Sequence, residues 1–294
     1  MPLAYVGGNV ATGTGTGNIS CSLTALTGGI DTAARTGDLV VFVNSTTNAN
    51  VSHTVGAITA GYTPLGSWYQ AGTTYGLNAN VSVKVMGATP DATAIGYGSQ
   101  SGIYEGNVIV HVWRNEDTGT QPDVAITQAS GNGTGVPNPP SCTPLTTGAV
   151  VVAIGCSPGT GISVTAPSGY GNLKGYAGAL GAVGHTSYFA SKAWSGTGSE
   201  DPGTFGGFPT AATISWIGAT LVIRPAPAYA VINETVPDMT FNAVAESKSN
   251  LWVSPSEVQN GVVYTDGLGN SWTGTLASGG ARRVIGSPVV RRLH

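Results

Sequence analysis

The sequence predicts an all-β protein: two tandem jelly-roll or immunoglobulin-like β-sandwich modules related by an internal repeat, followed by a small C-terminal β region. Three observations carry this expectation. No stretch of twelve residues shows 3.6-residue apolar periodicity, whereas short β-branched and aromatic runs recur throughout. Those runs are closed by Gly, Pro or Asn, the residues that end strands and build turns, and Gly alone supplies 45 of the 294 residues. Finally, four landmarks return in the same order about 110 residues later.

In chain order, Thr36-Gly37-Asp38 reads as a turn entering the run Leu39-Val40-Val41-Phe42-Val43. The run from Val81 to Met86 alternates with period two, the pattern of a strand with one buried face. Val108-Ile109-Val110-His111-Val112-Trp113 closes the first copy. The second copy repeats these parts. Thr36-Gly37-Asp38-Leu39 returns as Thr147-Gly148-Ala149-Val150, offset 111, and Gly61-Tyr62 as Gly169-Tyr170, offset 108. Lys84 returns as Lys192, offset 108, and Trp113-Arg114 as Ile223-Arg224, offset 110. The expected organisation is therefore residues 1–130 for the first copy and 131–226 for the second. The Gly/Pro/Asn-rich stretch 131–144 reads as the linker between them. After Pro225-Ala226-Pro227 the pattern changes. In residues 227–294, Asn260-Gly261 and Asp266-Gly267-Leu268-Gly269-Asn270 read as turns flanking Val262-Val263-Tyr264-Thr265 and the run from Ser271 to Leu276. A region this short leans on the second module or on another chain.

Composition excludes several classes. Charged residues are 9% of the chain, the net charge is -3 and 41% of residues are apolar, so the chain folds rather than remaining disordered. Eleven basic residues give no field suited to nucleic acid. No apolar run reaches 18 residues, so no membrane-inserted helix is expected. Residues 1–8 lack the charged start and apolar core of a signal peptide, which leaves some other route if the protein ends outside a cell. No charge occurs between Asp38 and Lys84, or between Asp123 and Lys174. Conversely, Arg282, Arg283, Arg291 and Arg292 concentrate +4 in the last thirteen positions against -7 over residues 1–281. That basic tail is either a solvated end or a subunit anchor that docks on an acidic neighbour.

The chain offers little catalytic chemistry. His53, His111, His185 and His294 form no metal-ligand spacing, and His111 reads as a satisfied core or sheet-face residue. Gly13-Thr14-Gly15-Thr16-Gly17 precedes a strand-like stretch, so the dinucleotide reading fails. Asp266-Gly267-Leu268-Gly269-Asn270 lacks the further acidic ligands of a calcium loop. Carboxylates are scarce and show no spacing suited to a glycosidase. Cys142 and Cys156 either bridge neighbouring strands or stay free and buried. No catalytic residue, cofactor or metal is assigned. Trp68, Tyr69 and Tyr75, in a Gly/Thr-rich stretch, form the candidate exposed cluster for contact with a glycan or another partner. Trp113, Trp194 and Trp216 read as core.

Gly37-Asp38-Leu39-Val40-Val41, Gly61-Tyr62-Thr63-Pro64-Leu65, the Lys84 strand and the closing run 108–114, with a second round ending Ile223-Arg224-Pro225, together resemble a β-module of tailed-bacteriophage and prophage virion proteins. The resemblance covers residues 1–226. It implies a non-enzymatic structural protein on the surface of a virion, assembled in the host cytoplasm: a tail or tail-fibre component or a capsid decoration. The implied partners are other virion proteins (capsid or tail subunits) and further copies of the chain. The alternative is a lectin-like adhesin for host-surface glycan. Any turn-capping role of Asp38 is lost in the second copy, where Ala149 stands in its place.

Overall fold

The computed structural model describes residues 2–14, 17–98, 103–179, 183–211 and 213–227, and beyond these the strand backbones 232–236, 239–243, 263–265 and 271–273. It is all-β. The chain divides into two compact units, Met1–Ala226 and Pro227–His294.

The first unit begins with β1 (Ala4–Gly13), β2 (Asn18–Ser22), β3 (Leu39–Asn48), β4 (Thr63–Gln70), β5 (Gly76–Val85), β6 (Thr93–Tyr97) and β7 (Ile103–Arg114). It continues with β8 (Thr127–Asn132), β9 (Val150–Pro158), β10 (Gly171–Gly178), β11 (His185–Ala193) and β12 (Ser215–Ile223). One antiparallel sheet has the order β1-β7-β3-β5-β4 and a second the order β8-β12-β9-β11-β10. The two orders correspond strand for strand. Register repeats as well: Leu39 pairs with Val85 and Trp113, and Val150 pairs with Ala193 and Ile223. These triplets differ by 111, 108 and 110 residues, the offsets read from sequence.

The two halves share one sandwich. The core between the sheets takes nine buried side chains from each, among them Val41, Val43, Val81 and Ile109 from the first and Val152, Ile154, Phe189 and Leu221 from the second. Period-two alternation explains why β3 and β9 are apolar on both faces. Val40 and Phe42 turn away from the shared core into a second cluster, closed by the β2-β6 ribbon. Val151 and Ala153 do the same in a third, closed by Phe205, Phe208 and Tyr170. Such strands read as continuous apolar runs because they are buried on both sides. The linker placed at 131–144 starts inside a strand: Gly131 and Asn132 belong to β8 and pair with Trp216 and Ser215. Gly131 lets the Trp216 indole lie close over the strand, since a Cβ there would be 3.0 Å from the indole nitrogen.

In the second unit the described residues form antiparallel strand pairs, β13 (Ile232–Val236) with β14 (Met239–Ala243), and β15 (Val263–Thr265) with β16 (Ser271–Thr273). The turn sequences Asn260-Gly261 and 266–270 lie outside the described residues, as do Arg282, Arg283, Arg291 and Arg292.

Candidate functional sites at the two ends of the sandwich

Both sheets run their strands between the same two ends, and the ends differ in chemistry. At the end where β3 and β9 begin, the turn 35–38 is built around Asp38, which is 1% exposed. Its carboxylate accepts the Arg35 backbone N–H at 2.8 Å and a fork from Arg114, Nε at 2.7 Å and Nη2 at 2.8 Å. Two parallel bonds to a buried carboxylate are the strong form of this pair, and they hold the Arg114 guanidinium above its ordinary pKa. Asp31 completes the cluster, 2.8 Å from Arg35 and 3.5 Å from Arg114.

The second copy rebuilds this device from a different residue. Ala149 has no carboxylate, but Asp123, from the segment between the halves, accepts the backbone N–H groups of Leu145 (2.6 Å) and Thr146 (3.0 Å) and the Thr146 hydroxyl. It also lies 3.4 Å from Arg224. Thr146 is the counterpart of Arg35 and Arg224 of Arg114. The repeated Gly-Tyr and Lys landmarks have a matching cause. Lys84 bonds Asp91 at 2.6 Å over the Tyr62 ring, and Lys192 bonds Glu200 at 2.8 Å over the Tyr170 ring.

At this same end residues 115–117 join the halves. Glu116 bridges Pro225, and the Asp117 N–H donates to the Arg224 carbonyl. Asn115 is held at both ends of the unit: its side-chain amide donates to the Pro2 carbonyl at 3.0 Å, and its carbonyl accepts the Ala226 N–H at 2.8 Å. Residues 2 and 226 therefore lie side by side here. An open cleft of about 370 Å³ is lined by Arg35, Asp38, Arg114, Asn115, Glu116 and Thr118, among others. The Glu116 carboxyl is buried, and among the described residues no group but its own backbone N–H bonds it. Burial, with minor repulsion from Asp38 and Asp117, pushes its pKa up to about 7.

Between the sheets the shared core turns polar toward the opposite end. His185 is fully buried, with Nε2 2.8 Å from the Ser45 hydroxyl and Nδ1 2.8 Å from the Thr47 hydroxyl, and Ser45 donates to Asn107 Oδ1. A serine beside an oriented histidine has the outline of a nucleophilic pair. Here Ser45 and His185 are both 0% exposed, so no substrate reaches them, and the pair instead ties β3 of one half to β11 of the other. His111 lies in the same layer against Phe189 and Tyr5, with ring centroids 4.8 and 5.0 Å away. It is a core residue, but neither ring nitrogen has a hydrogen-bond partner, so the expected satisfied histidine is an unsatisfied one. Burial pushes the pKa of each histidine down to about 3, for His111 with a smaller contribution from Lys174.

The opposite end carries the aromatic residues. The structure separates the sequence-predicted cluster. Trp68 turns inward, packs on the shared core and lies over Gly66. Tyr69, its neighbour on β4, points to the other face and donates to Asn50 Oδ1 at 3.2 Å. Tyr75 meets Tyr104 edge to face, centroids 5.6 Å apart at 81°. Tyr104 was missed in sequence because it lies at a bulge: the ladder passes from Thr47↔Glu105 to Asn48↔Ile103, leaving Tyr104 without a partner on β3. A bulge re-aims the extra side chain, and Tyr104 is 39% exposed. Asn50, with φ +63°, clamps the β4–β5 loop: its amide accepts the Gly72 N–H at 2.9 Å and donates to the Gly72 carbonyl at 2.7 Å.

Cys142 and Cys156 are free and buried on opposite faces of the second sheet, Cys156 in the shared core and Cys142 in the outer cluster, which rules out the bridge. Among the described residues no group of His, Cys, Asp and Glu could hold a metal ion, and no helix is long and apolar enough to cross a membrane. Comparison with protein-family models, curated proteins and solved structures finds no match to the chain.

Proposed function

We propose that this chain is a non-enzymatic structural protein on the surface of a tailed-phage particle, a tail or tail-fibre component or a capsid decoration. The observation that carries the reading is the meeting of residues 2 and 226 at Asn115. Residue 226, where the first unit ends, lies at the ion-paired end of the sandwich, and in this reading the uncharged aromatic end is the one that faces outward. A rigid two-sheet body with buried histidines and few titrating groups suits exposure to varied media. The resemblance of residues 1–226 to a virion β-module points the same way. In this reading the basic segment around Arg282, Arg283, Arg291 and Arg292 is the subunit anchor, and symmetric assembly in several copies is the default. The test is a chain truncated after Gly280, supplied during particle assembly. Loss of incorporation with an unchanged far-UV spectrum is expected, and normal incorporation would overturn the anchor assignment.

A further inference from the structure

The end opposite Asn115 has three properties that together specify a ligand. First, two tyrosine rings meet there at a near right angle. The Tyr75–Tyr104 pair forms a corner of two perpendicular ring surfaces. Neither phenol has a described hydrogen-bond partner, and the hydroxyls of Thr73 and Thr74, both exposed, flank Tyr75 in sequence. Second, the corner is fixed before any ligand arrives. Asn50 locks the loop that carries Tyr75, Ser215 of the second sheet donates to the Tyr75 carbonyl at 3.3 Å, and the bulge sets Tyr104. A preset site loses little conformational freedom on binding. Third, among the described residues of this end no exposed charge is present. No charged residue occurs from 39 to 83, and Glu105, next to Tyr104, is 0% exposed and bonded by the Tyr176 hydroxyl.

Flat aromatic surfaces edged by hydroxyls and amides, without charge, match the alternating C–H faces and hydroxyl rims of uncharged sugars. An apolar protein partner would need a contiguous apolar patch of several hundred Å², whereas the residues preceding Tyr75 are the exposed Thr73 and Thr74. We propose that this end binds uncharged carbohydrate, one sugar ring seating against Tyr104 and Tyr75. Asn50 and Tyr69 act as positioning residues through the loop. The inference rests on the reading above only in taking this end as the one turned outward, and the binding itself is a property of the isolated chain.

The test is a printed glycan array probed with the purified full-length chain, followed by titration of the strongest uncharged oligosaccharide. Saturable binding is expected, with Kd changing less than twofold between 0.05 and 0.5 M salt, since no charge is engaged. Tyr104→Ala and Tyr75→Ala should each weaken binding about tenfold while keeping the thermal transition and near-UV spectrum, and the inward Trp68→Phe should not weaken it. Absence of saturable binding to any uncharged glycan, binding confined to sialylated or sulfated glycans, or unchanged affinity in the Tyr75→Ala/Tyr104→Ala double variant would each overturn the proposal. A chain that fails here yet co-purifies with particles removes the carbohydrate site and leaves the structural reading standing.

Discussion

Glu116→Gln should stabilise the protein above neutral pH and do almost nothing in acid. The folded chain raises the carboxyl from its ordinary 4.5 to about 7. Because the folded-state pKa lies above the unfolded one, the folded chain keeps its proton between pH 4.5 and 7, where the unfolded chain has released it. Stability therefore falls as pH rises through that window, and the loss is complete above the folded value. A shift of this size corresponds to about 3 kcal/mol at full ionisation, a large part of the 5–15 kcal/mol typical of a domain. Glutamine has the shape of the protonated acid and leaves a comparable uncharged group buried, so its substitution should be near neutral at pH 4.5 and worth about 3 kcal/mol at pH 8.5. Urea unfolding of both proteins at the two pH values measures it. A Gln variant less stable than wild type at pH 8.5, or one whose effect is the same at both pH values, would refute the reasoning.

Three further outcomes follow from the same geometry. His111 and His185 are held neutral in the fold with pKa values near 3; since these lie below the unfolded value, each should cost about 2 kcal/mol of stability between pH 7 and pH 5, seen as a falling thermal midpoint in the Glu116→Gln background. Asp123→Ala should destabilise by about 2 kcal/mol, and adding Ala149→Asp should restore most of it by rebuilding the Asp38 arrangement in the second copy; a double variant no better than Asp123→Ala would show that the two carboxylates are not equivalent. Residues 1–126 or 127–226 expressed alone should lack a cooperative unfolding transition, because each exposes nine side chains of the shared core at roughly 1.5–3 kcal/mol apiece; a sharp transition in either fragment would contradict a single sandwich.

What the sequence showed and what it hid divide along physical lines. Strand runs such as Val81 to Met86 and Val150 to Ile154 were legible because alternation and β-branching are local. The repeat was legible because its landmarks are the Lys84–Tyr62 and Lys192–Tyr170 contacts, Arg114 at the end of β7 and Arg224 just after β12. That the halves share one core was not legible, since an inward-facing valine reads the same whichever sheet it meets. The turn at Thr146 looked uncapped because its carboxylate, Asp123, comes from 23 residues away. In the aromatic cluster, the Gly/Thr-rich setting drew attention to Tyr69 and Tyr75, which lie at the end of the sandwich away from Asn115. That Trp68 and Tyr69 part company was not legible, since adjacent strand residues face opposite sides, and the exposure of Tyr104 follows from a bulge that only the paired strands reveal.

If the chain is a component of a particle, it travels with intact particles. Quantitative mass spectrometry of particles purified through a density gradient from lysed producing cells tests this, with the soluble lysate analysed alongside. The full-length chain is expected at a fixed ratio to the major capsid or tail subunit in every preparation. A chain found only in the soluble fraction, and absent from intact particles, would contradict the proposed function.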